Sequence, residues 1–255
     1  MAIKEFLNTH HVFNRAEFNA TFPGSSTDAN LLARAVGNGR VRRVRHGLYI
    51  SETDRFIGTP PSPFDIASKA VDDAVFCYLS ALQLHGVLHN VTSRTQFYTV
   101  HRVPRFRFSG QEYFPLRVNE RLIETQSIFL TTGSSYQVTS REQTVVDCLN
   151  RISLVGGAEI VLRSLSGFTY VDTEKVVAIA ARTSQSACAK LGWLLEHMKA
   201  EWVIDNKIVA NLRVNIGAGP YYFFSSTSPK DSYWSSRWSL YLPYPEEEMA
   251  SWLRA

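Results

Sequence analysis

The spacing of hydrophobic residues near the start of the chain predicts three short helices. The first covers residues 3–9. The second starts near Asn14, which can cap it while Glu17, three residues later, returns a hydrogen bond to the cap. The third runs from a cap at Ser25 or Ser26 to about residue 38. Its apolar positions recur at helical spacing and are Leu31, Leu32, Ala35 and Val36.

A strand–turn–strand pattern follows these helices. Residues 40–45 and 48–50 are typical of two short strands around a tight turn, in which Gly47 supplies a positive φ. Val41 and Val44 are three positions apart, and a regular strand does not place such residues on one face. We therefore expect a bulge in the first strand or a later start of that strand.

The positions of proline and glycine divide the chain into two predicted domains. Residues 52–63 contain three prolines and a glycine and are predicted to form a stiff linker between residues 1–51 and residues 64–255. The expected fold class is α+β, in which a small N-terminal domain is followed by a larger mixed α/β domain. Helices are predicted at 64–72, 78–85, 140–150, 156–165, 173–182, 187–200 and 246–254. Strands are predicted at 95–101, 113–118, 128–132, 136–138, 207–216 and within 221–244.

Composition restricts the class of protein. Of the 255 residues, 45% are hydrophobic and 20% are charged, as in a folded domain. No run approaches the roughly 18 apolar residues of a membrane helix, and the first residues lack the apolar region of a signal peptide. Cys77, Cys148 and Cys188 are far apart, so each is expected to be a small buried residue. These patterns favour a cytoplasmic protein with no membrane, metal or cofactor role.

The distribution of charge says more than the net charge of +4. Between Asp28 and Glu52 there is no acidic residue, yet this window contains five arginines and His46. Such a concentration of cations is the electrostatic footprint of a polyanionic partner.

Three helices followed by a basic ribbon predict a winged helix-turn-helix that binds double-stranded DNA. The third helix would present polar and cationic side chains to the major groove, where asparagine can pair with adenine and arginine with guanine. The ribbon would lie against phosphates or reach a minor groove. The predicted DNA-binding residues are Ser26, Thr27, Asn30, Arg34, Arg40, Arg42, Arg43, Arg45 and His46.

Four segments carry a resemblance to a known family. They are LARAVGNGRVRRVRHGLY at 32–49, SALQLHG at 80–86, REQTVVD at 141–147 and KLG at 190–192. They resemble the glycine-ended helix and arginine-rich strand, the Ser-Ala-x-x-x-His-Gly helix end, the Arg-x-x-Thr-hydrophobic-hydrophobic-Asp segment and the Lys-Leu-Gly helix of AbiEi-type antitoxins. These proteins are the regulators of type IV toxin–antitoxin modules. The resemblance spans about residues 10–200.

The resemblance implies a DNA-binding transcriptional regulator that acts as an antitoxin, represses its own promoter at inverted repeats and is not an enzyme. The implied partner is a nucleotidyltransferase-like toxin encoded alongside it, with direct contact left open. Monomers on two half-sites and a preformed dimer are both compatible with it. Ala35 stands where the family more often has a larger aliphatic residue, so we expect the recognition helix to seat slightly differently.

Two other functions stay open at this point. The first is a DNA-binding nuclease or nucleotidyl-transfer enzyme. Against it, Gly133-Ser134 lacks a following Asp-x-Asp and fits a hairpin turn better. Asp147 lies among apolar residues of a predicted helix, so we expect it to be partly buried and structural. The second is a DNA-tethered protein-interaction adaptor. The aromatic-rich residues 221–244 are interpreted as core strands, with an interaction surface as the alternative.

Overall fold

A computed structural model of the chain describes residues 2–23, 26–118, 123–131, 133–224 and 228–254, with only the backbone described for 26–29. The elements up to residue 84 are α1 (Ile3–Thr9), β1 (Val12–Asn14), α2 (Arg15–Thr21), α3 (Ser26–Gly37), β2 (Val41–Arg45), β3 (Leu48–Ser51), α4 (Pro63–Ala70), β4 (Val75–Phe76) and α5 (Tyr78–Leu84).

The remaining elements continue the mixture of helix and strand. They are β5 (Arg94–Thr99), β6 (Phe106–Phe108), β7 (Gln111–Arg117), β8 (Thr125–Phe129), β9 (Ser135–Thr139), α6 (Arg141–Asn150), α7 (Ala158–Ser166), α8 (Thr173–Thr183), α9 (Gln185–His197), α10 (Asn206–Val214), β10 (Tyr221–Tyr222), β11 (Tyr233–Ser235), β12 (Leu240–Leu242) and α11 (Glu246–Ser251). The expected α+β fold class is confirmed.

The chain forms two compact units. The first contains residues Met1–Ala74 and Ser93–Val118, and the second contains Val75–Thr92 and Asn119–Ala255. Residues 52–63, which the sequence marks as a linker, lie within the first unit and include a short 3-10 helix at Asp54–Phe56.

The first unit opens with a winged helix. α1, α2 and α3 are followed by the antiparallel pair β2 and β3, and β1 adds to the other side of β3. The sequence pattern does not predict β1, whose three residues are too few to show alternation. The core beneath combines aliphatic side chains with aromatic ones, among them Phe6, Phe13 and Phe18. Phe6 meets Phe13 and Phe18 edge-to-face, with ring centres 5.1 and 5.5 Å apart.

Local hydrogen bonds start the second helix as the sequence predicts. The Glu17 N–H donates to Asn14 Oδ1 and the Asn14 N–H donates to Glu17 Oε2, both at 2.9 Å. This reciprocal pair satisfies two amides that the first helical turn leaves without partners. Glu17 also forms an ion pair with Lys69 of α4, so one carboxylate both caps α2 and ties it to α4.

The rest of the first unit is built on β5, β7 and β6. β5 runs parallel to β7, and β6 pairs with β7 in the antiparallel direction. The turn from β6 to β7 is at Ser109 and Gly110, both with positive φ.

The second unit combines paired strands with packed helices. β9 pairs with β4 in parallel and with β8 in the antiparallel direction. The turn between β8 and β9 contains Gly133 at a φ of +87°, so the hairpin interpretation of Gly133-Ser134 is confirmed. α6, α8 and α9 pack on one another through fully buried side chains such as Val145, Ile179 and Leu194.

The strand predicted at 207–216 is wrong, because this segment forms α10. The Asp205 side chain accepts a hydrogen bond from the Lys207 N–H at 2.9 Å and caps the helix. Val209 and Leu212 are buried three positions apart, as on one helical face. The β-branched composition suggested a strand, but the spacing of the buried positions decides for a helix.

The aromatic-rich residues near the end divide between core and surface. Phe223 and Trp238 are buried, whereas Tyr233 and Trp234 are about half exposed. The expectation of core strands therefore holds for part of the segment only. Within the described ranges, no helix is long and apolar enough to cross a membrane.

Candidate nucleic-acid interface

Helix α3 divides its side chains between the core of the first unit and the solvent. Leu32 and Ala35 are buried in that core. Asn30 and Arg34, one helical turn apart, are exposed on the outer side. The two predicted recognition residues whose side chains are described are thus accessible to a partner.

Side chains are described at the end of α3 but not at its start. At its start, the side chains of Ser26 and Thr27 lie outside the described part, so their contacts stay predictions. At its end, Gly39 adopts a φ of +71° and the Arg40 N–H donates to the Ala35 carbonyl at 3.0 Å. A left-handed glycine with this bond terminates the helix and turns the chain sharply. The Arg40 side chain is exposed just after the turn.

Strands β2 and β3 form the wing, an antiparallel hairpin that turns at His46 and Gly47. Gly47 has a φ of +78°, which an L side chain rarely adopts. The pairing register shifts between Arg43 and Arg45, as a bulge produces, and the strand starts at Val41 rather than later. Of the two predicted explanations, the bulge is the one that the structure supports. His46 is exposed at the tip.

The arginines of the wing have different surroundings. Arg43 is exposed, and its Nε donates to the Arg45 carbonyl at 3.3 Å. Arg42 forms an ion pair with Glu52 at 2.9 Å, and its side chain is 52% exposed. Among the described residues, Arg43 and the neighbouring Arg40 have no acidic partner. Their charge is therefore the most available for an anion.

Arg45 is half-buried rather than exposed. Its Cζ lies 5.1 Å from the centre of the Phe106 ring, and the Arg42 Cζ lies 4.8 Å from that of Phe108. The face of an aromatic ring attracts a cation. These two stacks fasten the wing to β6, so Arg42 and Arg45 have an evident structural role in addition to their predicted contacts with DNA. Arg45 Nη1 is buried without a hydrogen-bond partner in the described structure.

The end of α3 and the wing border one open groove of about 620 Å³. Val36 and Gly39 line it from the helix end, and Arg42 and Arg43 line it from β2 beside Val41. The segment after β3 completes the lining with Ile57 and with Glu52, the ion-pair partner of Arg42. Residues of the helix end and the cationic strand therefore face the same space, as a surface that contacts duplex DNA requires.

A second cationic segment of the first unit was missed by the sequence reasoning. Residues 93–118 contain five arginines and a single acidic residue, Glu112. With this segment, the first unit has 14 lysines and arginines against nine aspartates and glutamates, a net charge of +5. The second unit has 13 against 14, a net charge of −1. A count of charge in a sliding window along the whole chain would have found it.

Polar residues of the second unit that could suggest chemistry, Asp147 among them, have structural partners. The Gln143 side-chain amide donates to Asp147 Oδ1 at 2.8 Å. His85 Nε2 lies 2.9 Å from the Thr139 carbonyl oxygen, and burial lowers the pKa of this imidazole. The Asp172 carboxylate accepts the Lys175 N–H and caps α8. The first contact lies within α6, the second joins the end of α5 to the end of β9, and the third caps α8. Each therefore has a role in folding.

Lys190 lines an open cavity of about 580 Å³ in the second unit. It is 6% exposed, and its Nζ donates to the Leu149 carbonyl near the end of α6 at 3.1 Å. Burial lowers the pKa of this ammonium to about 8. An ammonium at a helix carboxyl end is favourable for the helix dipole, so this lysine has a structural explanation.

The described residues contain no group of three histidine, cysteine, aspartate or glutamate side chains that could hold a metal ion. All three cysteines are buried, as expected. Burial raises the pKa of the Cys148 and Cys188 thiols, which makes them poor nucleophiles.

Comparisons with known proteins support the fold alone. No protein-family model and no curated protein matches the chain. The chain is similar to a solved structure, that of the RV2827C protein from Mycobacterium tuberculosis, with a TM-score of 0.67 and 12% sequence identity. The match covers 98% of this chain and 93% of that one. At this identity, the similarity shows a shared architecture.

Proposed function

We propose that this chain is a DNA-binding transcriptional regulator that represses its own promoter and acts as the antitoxin of a type IV toxin–antitoxin system. The observation that carries the DNA-binding part is the groove that the end of α3 and the wing share. Arg43 lines it, and exposed Asn30, Arg34, Arg40 and His46 lie on the same two elements or their connection. Cations and hydrogen-bonding side chains on a helix and an adjacent wing suit phosphates and base edges.

Electrostatics also favours this function. The first unit has a net charge of +5 and the second −1, so a polyanion would be attracted to the unit that contains the winged helix. The antitoxin part rests on the resemblance of the four sequence segments to AbiEi-type proteins.

The test is equilibrium binding of the full chain to a duplex of its own upstream region across a series of salt concentrations. Binding should weaken steeply with salt, because each phosphate contact releases counterions. The double variant Arg40→Ala with Arg43→Ala should bind much more weakly and lower the salt slope by about 1.8. Tight binding that this variant leaves unchanged would overturn the assignment of the wing.

A matched control removes two charges elsewhere. Lys207 and Arg254 have exposed side chains in the second unit. The double variant Lys207→Ala with Arg254→Ala should bind as the unmodified chain does, and thermal melting should show that both double variants are folded.

The antitoxin part has its own experiment. The gene adjacent to that of this chain is expressed alone and together with it. We expect growth arrest in the first case and recovery in the second. A harmless neighbouring product would overturn the antitoxin role and leave DNA binding to be judged by the duplex experiment.

A further inference from the structure

Residues 101–108 are a cationic segment that the winged-helix description leaves without a function. They contain Arg102, Arg105 and Arg107 together with His101, and no acidic residue. All four of these side chains are exposed. The segment lies in the first unit, as the wing does.

The stacking contacts place this segment beside the wing. Phe106 and Phe108 alternate along β6 with Arg107, and they receive the guanidinium groups of Arg45 and Arg42. Side chains alternate across a strand, so the phenylalanines face the wing while Arg107 projects from the other side, where it is 81% exposed. β6 therefore contacts the wing through its phenylalanines and presents one cation, Arg107, on its other side.

The start of the segment is held in place by an aspartate. The Thr99 hydroxyl and the Val100 N–H donate to the two carboxylate oxygens of Asp73 at 2.6 and 2.7 Å. The His101 N–H then donates to Thr99 Oγ1 at 3.1 Å. These bonds fix the direction in which the loop leaves β5.

Little of this charge is neutralised within the protein. Glu112 is shared between Arg94, at 3.3 Å, and Arg107, at 3.2 Å. Arg105 stacks over the Phe114 ring, with its Cζ 3.4 Å from the ring centre, which leaves its charge in place. Within the described ranges, Arg102 has no ion-pair partner.

We infer that residues 101–108 make a second contact with the phosphates of duplex DNA, adjacent to that of the wing. This inference rests on the proposed function. The segment extends the footprint of the first unit beyond the winged helix, and it adds affinity rather than sequence preference because phosphate contacts do not identify bases. The competing explanation is that arginines protect the edge strand β6 against pairing with another chain.

The experiment compares the full chain with the double variant Arg102→Ala and Arg107→Ala. The binding constant of each protein is measured over a range of salt concentrations for two duplexes of equal length, one from the upstream region and one of random sequence. If both arginines contact phosphates, the slope of log K against log salt should fall by about 1.8 for each duplex. Hydroxyl-radical footprinting should lose protection at the edge of each half-site and keep it at the positions that α3 and the wing contact.

The control is the double variant Lys207→Ala and Arg254→Ala, which removes the same charge from the second unit. Its slope and footprint should match those of the unmodified chain. Thermal melting identifies a misfolded variant, and Arg102→Gln with Arg107→Gln, which keeps polar side chains, should reproduce the same loss of slope.

Three outcomes are decisive. A loss of slope and of protection at the half-site edges in the 102/107 variants alone supports the second contact. An unchanged slope and footprint in these variants, or an equal loss in the control, overturns the second contact. The proposed function still stands in that case if the Arg40/Arg43 variant weakens binding. If the unmodified chain shows no salt-dependent binding to either duplex, the proposed function is overturned, and this inference with it.

Discussion

The indole ring of Trp238 fills the space beside Gly192 where a side chain would project. A Cβ built on Gly192 would lie 2.0 Å from Cζ3 of Trp238, far inside contact distance. The ring is 1% exposed, and its Nε1–H donates to Glu196, one turn further along α9. The glycine of the Lys-Leu-Gly segment therefore has a packing reason.

We predict that Gly192→Ala destabilises the chain by about 1–3 kcal/mol, because the rigid indole must move and its hydrogen bond to Glu196 is strained. Urea unfolding at neutral pH measures this. Gly37→Ala is the matched control: Gly37 is also helical, and a Cβ there meets no atom within 4 Å. This control should be neutral or stabilising by up to about 1 kcal/mol. Equal stability of both variants would contradict the packing argument.

The capping box of α2 leads to a second prediction. Asn14→Ala removes the acceptor of the Glu17 N–H and should cost about 1 kcal/mol of unfolding free energy. Asn14→Asp and Asn14→Ser keep a side-chain acceptor and should recover most of it. The measurement is the shift of the urea midpoint at unchanged slope, and a midpoint that Asn14→Ala leaves in place would rule out a stabilising cap.

The elements that the sequence predicts well are those fixed by neighbouring residues. The cap at Asn14, the positive φ of Gly47 and the bulge before Arg45 each depend on a few consecutive positions. Their physical causes, a hydrogen bond within a turn or the absence of a Cβ, can be identified from residue type and spacing alone.

The features that the sequence did not predict depend on distant parts of the chain. The stack of Arg42 on Phe108 joins residues 66 positions apart, and β1 exists because Val12–Asn14 pair with β3. The spacing of arginines in the wing does not indicate which guanidinium group stacks on an aromatic ring from another part of the chain. The predicted site residues therefore include both exposed Arg43 and half-buried Arg45, which only the fold distinguishes.

A third prediction separates recognition of bases from recognition of phosphates. Arg34 is exposed on α3, the helix proposed to enter the major groove. Arg34→Ala should weaken binding to the upstream duplex by about 1–3 kcal/mol and weaken binding to random DNA much less. Arg43→Ala should weaken both duplexes to a similar extent. Competition binding of the two duplexes gives the ratio, and an unchanged ratio for Arg34→Ala would place α3 outside the major groove.

The last prediction concerns the pH dependence of folding. Burial lowers the pKa of Lys190 to about 8, below its ordinary value of 10.5. Between these values the unfolded chain binds more protons than the folded chain, so the contribution of Lys190 makes the free energy of unfolding rise with pH. Lys190→Met removes this titration. The free energy of unfolding of the unmodified chain, relative to that of the variant, should therefore rise from pH 7 to pH 10 by up to about 3 kcal/mol.

The hydrogen bond from Lys190 to the Leu149 carbonyl is also lost in this variant. Because its loss adds an offset at every pH, the test is the change of the difference between the two chains with pH, measured by urea unfolding at several pH values. Lys207→Met is the control, since Lys207 is exposed and its replacement should leave the pH dependence unchanged. Parallel stability curves for the unmodified chain and Lys190→Met would show that the ammonium is solvated, which would contradict its burial beside α6.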